Sequence, residues 1–272
     1  MVFNRAHQSI GLKLLRALAP ISLALAVWLI QPSNARADTV LVAVAANFVE
    51  PLKELAKDFE TETGHNLKIS AGATGHLFAQ IKHGAPFDLF LSADAERPRL
   101  LVEAGLAVAD SRFTYATGQL VWWAPKASGN DASCQTASPC LQPNDRRLAI
   151  ANPKLAPYGL AAQQVLKARP DWSEVKLKLV YGQNIAQTFA MVSTGNADAG
   201  LIAYAQLARL KSPKGRATKI DPSLHGPIQQ DAVLLTRAKG NAAAKQFLTF
   251  LQSVEARRKI EAFGYLHGEP AS

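Results

Sequence analysis

The chain has 272 residues, 30 Lys and Arg against 21 Asp and Glu, a formal net charge of +9, and 48 % hydrophobic residues. That length supports one large or two small domains with real cores. The basic residues are interspersed with acidic ones, with no dense basic run and no interleaved aromatics, so nothing supports nucleic-acid binding.

The first 37 residues read as a secretory signal. Arg5, Lys13 and Arg16 give a positive start, Ala17 to Ile30 is apolar, and Ala35-Arg36-Ala37 is a small-x-small cleavage site. The apolar run is short for a membrane span and contains Pro20. No cysteine follows it to carry a lipid, and no twin-arginine pair precedes it, so export of the unfolded chain to the periplasm is expected. Residues 1–37 hold four basic residues and no acidic one. The mature chain therefore carries 26 basic against 21 acidic residues, a mild +5.

From Thr39 the sequence alternates strand and helix signals. Thr39 to Ala45 (TVLVAVA) is a continuous apolar run, the mark of a buried parallel strand. Phe48 to Phe59 follows with helical spacing of Leu52, Leu55, Ala56 and Phe59, closed by Gly64. Leu67 to Ser70 and Phe87 to Leu91 read as strands, with helices over Gly75 to His83 and Arg97 to Ala104. Leu120 to Ala124 (LVWWA) is a strand, and a polar loop runs from Lys126 to Arg147. A second α/β series then begins. Its strands are Leu148 to Ala151, Lys178 to Tyr181 and Ala199 to Ile202. Its helices are Gly159 to Ala168, Ile185 to Thr194 and Ala205 to Leu210. Asp231 to Thr236 is a last strand, followed by helices over Ala242 to Ser253 and Glu255 to Ala262.

This order predicts an α/β protein of two lobes, each a mostly parallel sheet flanked by helices. The first lobe takes residues 38–118 plus 229–272, and the second takes 119–228. Two crossings of the chain, near Gly118 and Gln229, make a two-strand hinge. Open α/β sheets bind ligands at the carboxyl ends of their strands, so the cleft between the lobes is the expected site.

Several of those strand ends lead into helices through small or capping residues: Ala46-Asn47-Phe48, Gly72-Ala73-Thr74-Gly75, Ala156-Pro157-Tyr158-Gly159 and Asn184-Ile185-Ala186. A helix start offers unpaired N–H groups and the positive end of a dipole, which together suit an anion. Asn47 and Thr74 taken singly are ordinary N-cap types. Four such ends across two lobes point to more. Each charge-assisted hydrogen bond to an oxyanion contributes ~1.5–3 kcal/mol, and several together reach the ~12 kcal/mol of nanomolar binding. Neutral donors also avoid the cost of burying a cation beside the anion.

The segments VAVAANFVEPLKELAKDFE, ISAGATGHLFAQIKHGAPFDLFLSAD, FTYATGQLVWWAP and ANPKLAPYGLAAQQVL resemble, in order, the molybdate-binding periplasmic proteins of bacterial ABC importers. GAPFDLFLSAD (Gly84 to Asp94) and NP-x-x-AP-x-G (Asn152 to Gly159) are the most specific parts. The resemblance implies a class II solute-binding fold and a molybdate or tungstate ligand. That ligand would be held by hydroxyl and backbone N–H groups at helix starts, with no cofactor and no direct protein ligand to the metal. It also implies a membrane permease as partner and a monomeric receptor. The implied site is Ala46 and Asn47 in the first turn, Thr74 where the family usually has serine, and the backbone N–H groups of Tyr158 and Ile185. Some members place a tyrosine hydroxyl on the ligand near Ala203. This chain has Tyr204 one position later and resembles the subgroup that carries a tyrosine at the Tyr158 position instead. Ala46 lacks the hydroxyl that can occur there, and the Asn47 amide is the group placed to replace it.

His76, two residues past Thr74, reads as either an anion neighbour or a solvated first-turn residue. Asp88 and Asp94 would repel an anion, so capping or hinge hydrogen bonds are expected of them. Of Trp122 and Trp123, one is expected in the core and the other at the lobe contact. A receptor for sulfate, phosphate or another oxyanion is the alternative within the binding class. A hydrolase or transferase reusing the fold is the alternative outside it. No G-x-S-x-G elbow, H-E-x-x-H pair or phosphate loop is present, and His65, His76, His83, His225 and His267 are scattered, so an enzyme is not expected.

Cys134 and Cys140 form a local disulfide or remain two free thiols, and an oxidising compartment favours the disulfide. The C-x5-C spacing, with no histidine nearby, does not suit a metal. Replacing both with serine is expected to lower thermal stability while leaving ligand affinity nearly intact. A large loss of affinity in a titration would show that this loop reaches the cleft.

Overall fold

The computed structural model describes residues 38–126, 139–142, 144–210 and 212–267. The expected signal segment, most of the polar loop and Cys134 lie outside the described residues. Cys140 is disulfide-bonded. No described helix is long and apolar enough to cross a membrane.

Two five-stranded sheets carry the fold. The first is built from β1 (Thr39–Ala45), β2 (Asn66–Gly72), β3 (Leu89–Leu91), β4 (Phe113–Thr117) and β10 (Gln229–Leu234), in the order β2-β1-β3-β10-β4. The second is built from β5 (Leu120–Ala124), β6 (Leu148–Ala151), β7 (Leu179–Gly182), β8 (Ala199–Ala203) and β9 (Arg216–Lys219), in the order β7-β6-β8-β5-β9. In the first sheet β1 runs parallel to β2 and β3, and β10 runs antiparallel to β3 and β4. In the second, β6 runs parallel to β7 and β8, and β5 runs antiparallel to β8 and β9. Each sheet is therefore mixed. The antiparallel strands β5 and β10 are the ones reached as the chain crosses between sheets, once from β4 to β5 and once from β9 to β10.

Nine helices among the described residues cover these sheets: α1 (Val49–Thr63), α2 (Thr74–Lys82), α3 (Glu96–Glu103), α4 (Pro157–Lys167), α5 (Trp172–Val175), α6 (Ile185–Ser193), α7 (Tyr204–Ala208), α8 (Ala242–Leu251) and α9 (Val254–Ala262). The apolar stripe of α1 (Leu52, Leu55, Ala56 and Phe59) is buried against β1 and the closing helices, where Phe59 meets Phe247 edge-on at 5.1 Å. A 3-10 turn at Ala46–Phe48 joins β1 to α1, and α1 runs to Thr63, where Gly64 caps it in the left-handed region as expected.

Two strands fall where no strand signal was read. β4 (FTYAT) and β9 (RATK) are edge strands with intermediate or exposed residues along much of their length. An edge strand with one wet face needs no apolar run, so no hydrophobic pattern announced either of them. The tryptophan expectation is corrected. Trp122 and Trp123 are both buried, Trp123 stacks on Phe189 at 5.5 Å, and both belong to packing around the second sheet.

Candidate functional site

Parallel pairing brings successive helix starts to one sheet edge. The β1–β2 register places Ala45 opposite Gly72. The 3-10 turn after β1 and the start of α2 after β2 therefore emerge side by side. In the second sheet Ala151 lies opposite Gly182, so the segments leading to α4 and α6 also leave from one edge. A small cavity lies where the two edges face each other. The first sheet contributes Ala45, Ala46, Asn47, Gly72, Ala73, Thr74 and Ala93 to it; the second contributes Ala156, Pro157, Tyr158, Asn184 and Ile185. All five residues expected from the sequence as oxyanion contacts, Ala46, Asn47, Thr74, Tyr158 and Ile185, line this one cavity. His76 and Tyr204 do not: His76 is exposed on α2, and Tyr204 packs toward Gly264.

The lining is neutral. It holds no Asp, Glu, Lys, Arg or His. Its polar groups are hydroxyls, amides and the first N–H groups of helices, which have no partner within their own helix. Neither α2 nor α4 has a side-chain cap, and their N-cap residues are Ala73 and Ala156. α6 is capped by Asn184, whose Oδ1 accepts from the Gln187 N–H at 3.0 Å. This cap satisfies an inner N–H and leaves that of Ile185, at the first position, without a partner in its own helix. The NP-x-x-AP-x-G pattern acquires a physical reason at Gly159, where a Cβ would stand 2.2 Å from the Ala151 carbonyl oxygen. Only glycine lets α4 start so close to β6.

Thr74 is the first residue of α2 rather than its cap. It is buried, and its Oγ1 accepts from the Ala93 N–H at 3.2 Å, which leaves its own proton to donate. The Asn47 amide does not take the place of a hydroxyl missing at Ala46. Its Nδ2 donates to Gln230 Oε1 at 2.7 Å and to the Tyr265 hydroxyl at 3.1 Å, using both protons. Tyr265 in turn donates to the Asn47 carbonyl at 2.8 Å. What Asn47 offers the cavity is therefore its main chain, held in place by its side chain. The network extends to Tyr115, whose hydroxyl lies 3.1 Å from Gln230 Oε1, and to Tyr158, whose hydroxyl accepts from Gln230 Nε2 at 3.2 Å. Burial raises the pKa of Tyr115, Tyr158 and Tyr265 above the ordinary phenol value, so all three remain protonated donors.

Gln230, Tyr115 and Tyr265 were not singled out in the sequence. A glutamine in Gln229-Gln230-Asp231 carries no periodic signal, and only folding shows that Gln230 is fully buried. The two aspartates behave as capping and packing groups. Asp94 accepts from the Arg97 N–H at 2.9 Å and pairs with the Arg97 guanidinium, and Asp88 accepts from the Leu41 N–H at 2.8 Å.

Polar contacts between the two halves flank the cavity. On one side the Gly75 N–H donates to the Leu155 carbonyl at 2.8 Å, and Arg97 Nη2 donates to the Lys154 carbonyl at 3.1 Å. On the other, Arg209 pairs with Glu50 at 3.3 Å. Among the described residues no His, Cys, Asp and Glu cluster could hold a metal ion.

A family profile described as bacterial extracellular solute-binding protein matches residues 40–266. The molybdate-binding protein ModA of Rhodobacter capsulatus is 42 % identical over 245 residues, covering 90 % of this chain and 94 % of that one. The protein of the same name from Azotobacter vinelandii is 44 % identical over 233 residues, covering 85 % and 91 %. Among solved structures, the periplasmic molybdate-binding protein of Azotobacter vinelandii superposes with a TM-score of 0.78 at 34 % identity, covering 85 % of this chain and all of that one.

Removing the Tyr265 hydroxyl would leave the Asn47 carbonyl and one amide proton unpaired in the interior. Tyr265→Phe is expected to lower stability by ~1–3 kcal/mol in urea unfolding. An unchanged midpoint would show that the hydroxyl does not hold the turn.

Proposed function

The chain belongs to the bacterial extracellular solute-binding proteins, and we propose that within them it captures molybdate or tungstate between its two sheets and delivers it to an ABC transporter. One observation carries this reading. The cavity is walled by helix starts from both sheets and by neutral donors, with no charged side chain in its lining. Such a wall suits an anion that stays fully deprotonated and needs donors only. A protonated oxyanion such as phosphate needs an acceptor as well, and the lining offers no carboxylate. Sulfate shares the charge and shape of molybdate but has shorter bonds to oxygen, so the distance between the facing donors decides between them.

The donors in this reading are the backbone N–H groups of Ala46, Asn47, Tyr158 and Ile185 and the hydroxyl of Thr74. Residues 38–118 with 229–272 form one lobe and residues 119–228 the other, hinged at the two crossings. The Gly118 N–H to Ile228 carbonyl bond, at 2.9 Å, ties those crossings together. The anion contacts both lobes at once only when they are closed, so it stabilises the closed form by its differential affinity for that form. No bond to the metal and no covalent step is involved. The receptor works in the periplasm as a monomer, after removal of residues 1–37, and its partner is the importer's permease rather than nucleic acid.

Titration calorimetry of the mature protein is expected to give tight one-to-one binding of molybdate and tungstate and weak binding of sulfate and phosphate. Equal affinity for sulfate would overturn the size selection, and no heat with any of the four would overturn the oxyanion site. Thr74→Val removes one donor and leaves an oxygen of the anion underpaired, so molybdate affinity is expected to fall by ~1–3 kcal/mol. An unchanged affinity would place Thr74 outside the contact set.

A further inference from the structure

Gln230 is a fully buried side chain that joins the anion-facing turns of both halves. Its Oε1 accepts from Asn47 Nδ2, in the turn after β1, and its Nε2 donates to the Tyr158 hydroxyl, on α4 of the other sheet. The orientation of the amide is dictated by its surroundings. Asn47 presents only protons toward Gln230, since Tyr265 donates to the Asn47 main-chain carbonyl and accepts from the same Nδ2. Gln230 must therefore turn its oxygen to Asn47 and its nitrogen to Tyr158.

Tyr158 reaches this amide through a slot at the first crossing. A Cβ on Gly118 would stand 2.1 Å from the Tyr158 hydroxyl oxygen and 2.9 Å from Gln230 Nε2. Residue 118 is thus a keyway: with any side chain there, the phenol could not occupy its place. Because Gln230 Nε2 supplies a proton to the Tyr158 oxygen, the phenolic proton is not used in that bond.

We infer that Gln230 is a positioning residue that couples anion occupancy to lobe closure, by capturing the Tyr158 hydroxyl in the slot opened by Gly118. This rests on the reading of the cavity as an oxyanion site closed by a hinge. The bridge joins the second crossing to α4 of the other lobe, so an opening that draws α4 away from that crossing breaks it. It contributes to the closed form and leaves the open form untouched. Its loss accordingly acts on release of the anion more than on capture.

Gln230→Glu provides the test, because the two side chains have the same shape. A neutral glutamic acid still accepts from Asn47 through its carbonyl oxygen and donates to Tyr158 through its hydroxyl. The carboxylate has no proton to give, so the Tyr158 hydroxyl must turn its own proton to it, and a negative charge is set beside the proposed anion site. Burial opposes ionisation of such a carboxyl. The other titratable groups around this position are Tyr115, Tyr158 and Tyr265, all held protonated by burial. The neighbouring Asp231 carboxylate is turned to Arg112 and Thr114, and Asp94 is paired with Arg97.

Molybdate affinity and dissociation rate are measured from about pH 6 to about pH 8.5, with thermal melts in parallel. The wild type is expected to hold a flat affinity. Gln230→Glu is expected to approach wild-type affinity at the acidic end and to lose about 10- to 100-fold at the alkaline end, mostly through faster dissociation. Gly118→Ala keeps every hydrogen-bonding group but fills the slot; it is expected to lose at least about tenfold in affinity with a ligand-free melting temperature near that of the wild type. A Gly118→Ala protein that binds normally would overturn the coupling, as would a Gln230→Glu protein that releases the anion at the wild-type rate at the alkaline end. Failure of the wild type itself to bind molybdate would instead overturn the oxyanion reading on which the inference rests.

Discussion

A dianion can leave water only where enough N–H and O–H groups replace its hydration shell, because an ion without such partners is costly to bury. In the proposed site the neutral backbone is what meets that demand, and the layout of the strands sets where its donors stand. β1 and β2 must be parallel and in register for two helix starts to emerge side by side, and so must β6 and β7. Each helix start then contributes N–H groups that regular structure cannot satisfy, together with the positive end of its dipole. The antiparallel strands β5 and β10 have a different task. They receive the chain at the two crossings and leave the binding edges facing each other.

Keeping charge out of the cavity is the other half of the arrangement. Arginines and carboxylates do lie nearby, but they are paired with one another at its rims: Asp94 with Arg97, and Glu50 with Arg209. A buried cation would attract the anion but would also lose its own hydration. Neutral donors avoid that loss and do not titrate near neutral pH. The buried tyrosines extend the principle, since burial raises their pKa and keeps them protonated beside a negative ligand.

The contacts between the two halves include exposed ion pairs beside apolar packing of Ala45 and Ala93 against the second sheet's core and of Ala205 against the first's. Arg209 and Glu50 are 38 % and 50 % exposed, and ion pairs of that kind contribute about 0–1 kcal/mol. Such contacts alone would let the halves separate easily, as suits a receptor that must release its cargo. Against this background the buried Gln230 network stands out. It is buried, partnered at both amide atoms, and continuous from Asn47 in one half to Tyr158 in the other. A low local dielectric strengthens such a network and makes any break in it expensive.

The sequence by itself determined the alternation of strands and helices, the existence of two α/β halves, and the helix starts that face each other. These features are written in local patterns: the apolar run of Thr39 to Ala45, the helical stripe of Leu52 to Phe59, and the small residues that must precede a helix packed close to a sheet. Ala46, Asn47, Thr74, Tyr158 and Ile185 each sit at such a start, and the resemblance to the molybdate-binding proteins is what singled out those five. The edge strands Phe113–Thr117 and Arg216–Lys219 were not legible, since one wet face removes the hydrophobic signal. Nor was the part played by Asn47, whose amide turned out to be occupied by Gln230 and Tyr265. Only the tertiary structure decided that network, because its members lie up to 218 residues apart in the chain. The physical reason is general: periodicity reports which face of an element is buried, whereas a buried polar side chain is defined by the partners that folding brings to it.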